Sequence, residues 1–250
     1  MDTYAHYLPN FLFILLRAGI VLMLVPFFGS ASFPPQFRIG VAVAISLVLT
    51  PVVEFRLVEA SISATVMREV LFGLIFGLVA RFIFYAVDMA GQIMSSVTGL
   101  SMATAFDPEI GPSTEVSRLY GIIATLIFLA MDAHHDLIAV FVKSYEWLPA
   151  GSLNVETLVS LSVSFTSKIF VVALKLSAPI VIIMLVVNIL LGFIYKAAPQ
   201  MNIFFVGQPV YIFIGFLTML VFLPVFVYLI QGYFGSMKDD IGRVILLMKR

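Results

Sequence analysis

Cysteine is absent from the 250 residues, which removes disulfide frameworks, thiolate metal sites, iron–sulfur clusters and cysteine nucleophiles together. Charge is scarce. Asp, Glu, Lys and Arg make up 11% of the chain, against about 25% in an ordinary soluble domain. Neither sign is in excess, with 14 basic and 14 acidic residues, so the chain carries no footprint for nucleic acid or a polyanionic substrate. Catalytic signatures are missing as well: no Gly-x-Ser-x-Gly elbow, no Walker A lysine loop and no GxGxxG after a strand. Active transport powered by this chain's own P-loop is therefore excluded, and a membrane enzyme lacks a constellation to carry it. Low-complexity tracts and internal repeats are absent.

What fills the sequence is apolar: 62% of residues are hydrophobic and the mean hydropathy is +1.12. Too few polar side chains exist to cover a water-facing surface, so the chain reads as a single all-α integral membrane unit, helix being the default where the backbone must satisfy itself in lipid. Candidate helices are Asn10–Phe28, Ile39–Val53, Met67–Val87 running on towards Met102, Leu119–Val142, Leu158–Tyr195 and Val210–Phe234. At roughly 20 residues per crossing the simple count is six or more spans. Several fit badly. Ile39–Val53 is only 15 residues. Met67–Gly99 has no proline and would be about 50 Å long as one helix, beyond the roughly 30 Å hydrocarbon thickness. Ala197 to Met237 is 41 residues without a charge, punctuated by Pro199, Pro209 and Pro224.

The N-terminus has no basic cluster and Arg17 sits inside the first apolar run, so that segment reads as retained rather than as a cleaved signal. The tail from Lys238 to Arg250 carries four basic residues and is the best cytoplasmic candidate. The loop Asp107–Ser117 holds three acids and no base, permissive for the opposite side.

Polar residues inside such a chain are the functional candidates. At about 100° per residue, Glu69, Gly73, Gly77, Arg81, Asp88, Gly91, Ser95 and Gly99 fall on one stripe of a helix. Gly73 and Gly77 form a GxxxG that admits a close backbone. The stripe reads either as a pore-lining or subunit-packing face, or as intramolecular packing with a buried Arg81–Asp88 pair. Asp132-Ala133-His134-His135-Asp136 offers carboxylate and imidazole on one face through Asp132, His135 and Asp136, a set suited to zinc or manganese. It reads more naturally as a polar patch at the membrane boundary, and no metal or other cofactor is expected. Lys168, Lys175 and Asn188 lie in or beside a long apolar run and keep a secondary transporter of a small solute in view, although snorkelling explains the lysines equally.

The segment from Lys196 through Pro199, Gln200, Met201, Asn202, Phe204 and Gly207 to Pro209 resembles the PQMN-(V/I)-F-x-x-G-x-P signature of the FliR/SctT family of type III secretion export-gate subunits. Ala178-Pro179 with Asn188 and Leu191-Gly192, the Glu69–Gly99 stretch with Gln92, and Phe106-Asp107-Pro108 followed by His135 and Ser144-Tyr145 to Leu148-Pro149 are similar to other parts of the same pattern. The likeness runs from about Arg17 to Gly235. Lys196 departs from it, standing where the family usually has arginine, so charge is kept and bidentate donation lost.

The resemblance implies a channel-forming structural subunit, not an enzyme. It would assemble with FliP and FliQ homologues in a helical, cone-like core of the basal body in the bacterial inner membrane, with FlhB and FlhA nearby, and pass unfolded axial proteins. It implies a FliP-like part over about 1–155 and a FliQ-like part over 156–250, built from steep hairpins standing largely above the bilayer plane. It also implies a lumenal plug made by Phe106, Asp107, Pro108, Glu109, Ile110, Gly111, Pro112, Ser113 and Thr114. Whether the machine is flagellar or a virulence injectisome is left open by the residues.

Overall fold

The computed structural model describes residues 7–25, 34–53, 62–101, 114–147, 155–200 and 203–248, and among them every regular element is an α-helix. In chain order these are α1 (Tyr7–Leu24), α2 (Pro35–Leu49), α3 (Ile62–Val97), α4 (Glu115–Ala130), α5 (Ala133–Trp147), α6 (Val155–Ala197) and α7 (Ile203–Met248). Among the described residues, most of each of the six apolar stretches is helix, but the count of crossings falls. Among the described residues, only α1, α3, α6 and α7 are long and apolar enough to cross a membrane, with α4 and α5 supplying a fifth if they form one broken span. The 15-residue α2 reaches about 22 Å, short of the core. At the other extreme, the 46 residues of α7 make about 69 Å of helix, more than twice the roughly 30 Å hydrocarbon thickness.

Local chemistry sets the helix ends. Pro35 opens α2 at its first position, where a missing N–H costs nothing. The Thr114 side chain caps α4 by accepting from the Ser117 N–H at 3.2 Å, and Glu115 adds an acid to the first turn where the helix dipole favours one. The single apolar run Leu119–Val142 is broken by Asp132, whose φ of +54° ends one helix and starts the next. Asp tolerates that left-handed conformation better than most residues. Polar side chains inside the apolar helices fold back on their own backbone. Ser46 donates to Ala42, Thr98 to Met94, Thr125 to Gly121 and Thr218 to Ile214, at 2.7–2.9 Å. This satisfies hydroxyls where no water is available.

The chain divides into two compact units that interleave in sequence. The first comprises Met1–Phe82, Asp132–Thr166 and Phe234–Arg250. There α1 packs on α2, and Ile14, Phe72, Phe76, Phe141, Met237 and Ile241 are buried. Its aromatic residues form a chain, with Phe76 edge-on to Phe141 at 5.9 Å and Phe141 edge-on to Tyr145 at 5.4 Å, the geometry ring quadrupoles prefer. The second comprises Ile83–Met131 and Ser167–Tyr233. Its core includes Ile83, Met94, Phe128, Ile180, Met184 and Ile230, and Tyr120 packs edge-on to Phe226 at 4.6 Å. The most apolar window of α3 is 61% buried, against 33% in α6 and 22% in α7. Helix α3 is therefore the more deeply packed of the three, and the other two leave most of their apolar surface for lipid or a partner.

Candidate functional site

Three helices of the first unit converge on one buried charge. Arg17 of α1 is 1% exposed, as is Glu69 of α3. The guanidinium grips the carboxylate with two donors, Nε to Oε2 at 2.5 Å and Nη2 to Oε1 at 2.8 Å. Its remaining terminal nitrogen, Nη1, donates to Ser144 Oγ of α5 at 3.2 Å, and the Ser144 hydroxyl in turn donates a hydrogen bond to the Phe141 carbonyl at 2.6 Å. The cation also faces two rings, Phe72 at 4.4 Å and Tyr145 at 4.2 Å. Only arginine offers a planar fork that takes a carboxylate edge-on while its faces meet aromatic rings. The group is a polar lock on α1, α3 and α5: an isolated charge among apolar side chains costs several kcal/mol, so each helix fixes the next.

The sequence reading placed Glu69 on a stripe without its partner. Arg17 was visible as a charge in an apolar run, but nothing in a single sequence links positions 52 apart. The signal available was that an intramembrane ion requires a counter-ion.

The rest of the stripe is occupied by packing. A Cβ on Gly73 would meet Ile20 at 3.0 Å, and one on Gly77 would overlap Leu24, so the GxxxG is where α1 lies against α3. A Cβ on Gly91 would run into the backbone of Ser117 in α4. Arg81 and Asp88 are half-buried, and Asp88 accepts from Gln92 Nε2 one turn on at 2.9 Å. Gly99, at φ +75°, ends α3, and its carbonyl accepts from Gln208 Nε2 of α7 at 3.1 Å.

Gly207 and Pro209 of the family signature flank Gln208 in the chain. Pro199 and Gln200 form the turn after α6; Met201, Asn202 and the side chain of Phe204 lie outside the described residues. Gly207 leaves room for the Tyr195 hydroxyl, and Pro209 falls inside α7. Tyr211 donates to Asn188 Oδ1 at 2.7 Å, tying α7 to α6. Asn188 is thus a helix–helix tie, while Lys168 and Lys175 are exposed. Residues 106–113 of the plug segment lie outside the described residues. Thr114, also assigned to that segment, is the buried cap of α4.

The polar patch around Asp132 regroups. Among the described residues, Asp132, His134 and His135 bring one ligand atom each within 4.8 Å of one another, with His135 Nδ1 3.6 Å from Asp132 Oδ1. Asp136 is drawn instead to Lys238, 2.7 Å away.

Residues 8–237 match the family described as bacterial export proteins, family 1. The chain is 31% identical to the flagellar biosynthetic protein FliR of Caulobacter vibrioides over 80% of its own length and 82% of that protein's. To the protein of the same name from Aquifex aeolicus it is 30% identical, over 93% and 92%, and to that of Escherichia coli 28%, over 98% of each chain. The family is one of structural export components rather than enzymes. With a match that covers both compact units and the buried Arg17–Glu69 lock alike, the chain belongs to the bacterial export proteins, family 1.

Proposed function

We propose that this chain is a structural, channel-forming subunit of the flagellar type III export gate, embedded as a multi-pass protein in the bacterial inner membrane within the basal body. It assembles with FliP and FliQ homologues, lies near FlhB and FlhA, and passes unfolded axial proteins, with its C-terminus on the cytoplasmic side. The observation that carries the reading is likeness along nearly the whole chain to proteins named for flagellar biosynthesis. Two physical features support it. Helices α6 and α7 keep large apolar faces uncovered, as a subunit that is completed by neighbours must. The described polar contacts are ties between helices, not a reaction centre.

Within this reading, residues 106–113 form the lumenal plug, with Phe106 and Ile110 excluding water, and Arg81 and Asp88 serve polar contacts at a lumen or subunit face. The Pro199–Asn202 turn shapes an assembly interface. A FliP-like part to about residue 155 is followed by a FliQ-like part over residues 156–250. Native mass spectrometry of the tagged chain expressed with its own FliP and FliQ homologues tests the assignment. Recovery in one mixed complex is expected. A free monomer or homodimer, with both partners well expressed, overturns it.

A further inference from the structure

The last turns of α5 and residues 238–243 of α7 line a half-open cleft of about 370 Å³ in the first unit. Its apolar lining is the buried Val140, the half-buried Gly242 and the exposed Ala139. Trp147 closes one side, with its ring edge 3.7 Å from where a Gly242 Cβ would stand. The rim is cationic. Lys143, Lys238 and Arg243 line it, with Asp239 as the one acid. Lys238 is held by Asp136, but no ion pair holds Lys143 or Arg243 among the described residues, and both are exposed.

We infer that this cavity is a binding site for the headgroup of an anionic phospholipid. Three observations select that occupant over a soluble anion. The first is position: the uncharged run from Ala197 ends at Met237, and Lys238 is the first charge after it, so the rim lies where apolar helix gives way to water. The second is Trp147, the only tryptophan in the chain; tryptophan concentrates at the headgroup level of a bilayer. The third is the division of the cavity itself. A free phosphate uses only the cations, whereas a lipid sets its phosphate against Lys143 and Arg243 and its glycerol and first methylenes on Val140, Gly242 and Trp147. Basic pockets at the cytoplasmic surface meet an anionic leaflet, the side to which positive charge at this end of the chain assigns it.

Trp147 supplies the assay, since all tryptophan emission from the full-length chain reports this site. The purified chain in neutral detergent is titrated with brominated phosphatidylglycerol and, separately, brominated phosphatidylcholine. Phosphatidylglycerol is expected to quench at least ten times lower concentration. Lys143→Gln with Arg243→Gln abolishes that preference, and the charge-preserving pair Lys143→Arg with Arg243→Lys restores it. Lys168→Gln with Lys175→Gln, which removes two exposed cations elsewhere, leaves it intact. Equal quenching by the two lipids, or an unchanged preference in the Lys143/Arg243 glutamine variant, overturns the assignment. So does displacement of the lipid by millimolar inorganic phosphate or by an acidic peptide, which would mark a site for a soluble anion or a protein segment. The result is independent of whether FliP and FliQ homologues co-purify, so this inference and the assembly fail separately.

Discussion

Gln208 of α7 donates its side-chain amide to the carbonyl of Gly99 at 3.1 Å, 109 positions away in the chain. The acceptor belongs to a residue at φ +75°, a conformation glycine adopts freely and other residues do not. A Cβ there would also press on the Gln208 amide. Gly99→Ala is therefore expected to lower stability by about 1–3 kcal/mol from backbone strain alone. Gln208→Leu should cost about 1–3 kcal/mol if it leaves the carbonyl unsatisfied. Thermal unfolding of the detergent-solubilised chain checks both, and an unchanged midpoint for Gly99→Ala would show the strained turn to be replaceable.

The Arg17–Glu69 lock predicts a strong asymmetry between single and double replacement. Removing one partner strands the other, so Arg17→Met or Glu69→Met should each destabilise by about 3–5 kcal/mol, while the double replacement, which leaves no buried charge, should recover most of the loss. A double-mutant cycle measures the coupling. Arg17→Lys keeps the charge but loses the fork and should fall between wild type and Arg17→Met. Additive losses in the cycle would mean that the pair does not act as one.

Glycines on α3 and α4 should separate by what surrounds them. Gly91 faces the Ser117 backbone, which cannot swing aside as a side chain can, and Gly121 has nothing within 4 Å. Gly91→Ala is expected to cost about 1–3 kcal/mol through overpacking, whereas Gly121→Ala should be neutral or stabilising by up to about 1 kcal/mol. Equal midpoints for the two variants would contradict the close approach of α3 and α4.

The plug is tested by conductance. Removing residues 107–113 while keeping Thr114 preserves the cap on α4, so the assembled complex should form and become leaky to ions. Loss of assembly, or conductance like that of the intact complex, removes the gating role from this segment.

Much of this architecture was legible beforehand because hydropathy is a local property. The positions of α3 and α6 follow from where apolar runs start and stop, but α7 outruns its expected Val210–Phe234 at both ends, continuing through Pro209 and Pro224 and past the charges at Lys238–Asp240. The break at Asp132 was not, since its left-handed backbone sits within the continuous apolar run Leu119–Val142 and leaves only a polar patch as a clue. Pairing was the least legible. The stripe gathers Glu69, Gly73 and Gly77, but a helical wheel gives a direction and not a neighbour. That α1 supplies Arg17, Ile20 and Leu24 to meet them is a matter of tertiary packing. The same holds for the signature around Gly207, whose small residue makes sense once Tyr195 is seen beside it.

The lock also imposes an order on biogenesis. Arg17 enters the membrane with α1, but Glu69 is made 52 residues later. At synthesis rates of about 5–20 residues per second, the arginine waits about 3–10 s for its counter-ion. During that interval the cost of an unmatched guanidinium in hydrocarbon holds α1 near the interface or the insertion machinery. Arrival of α3 releases it, so α1, though made before α3, is not committed to the bilayer ahead of it.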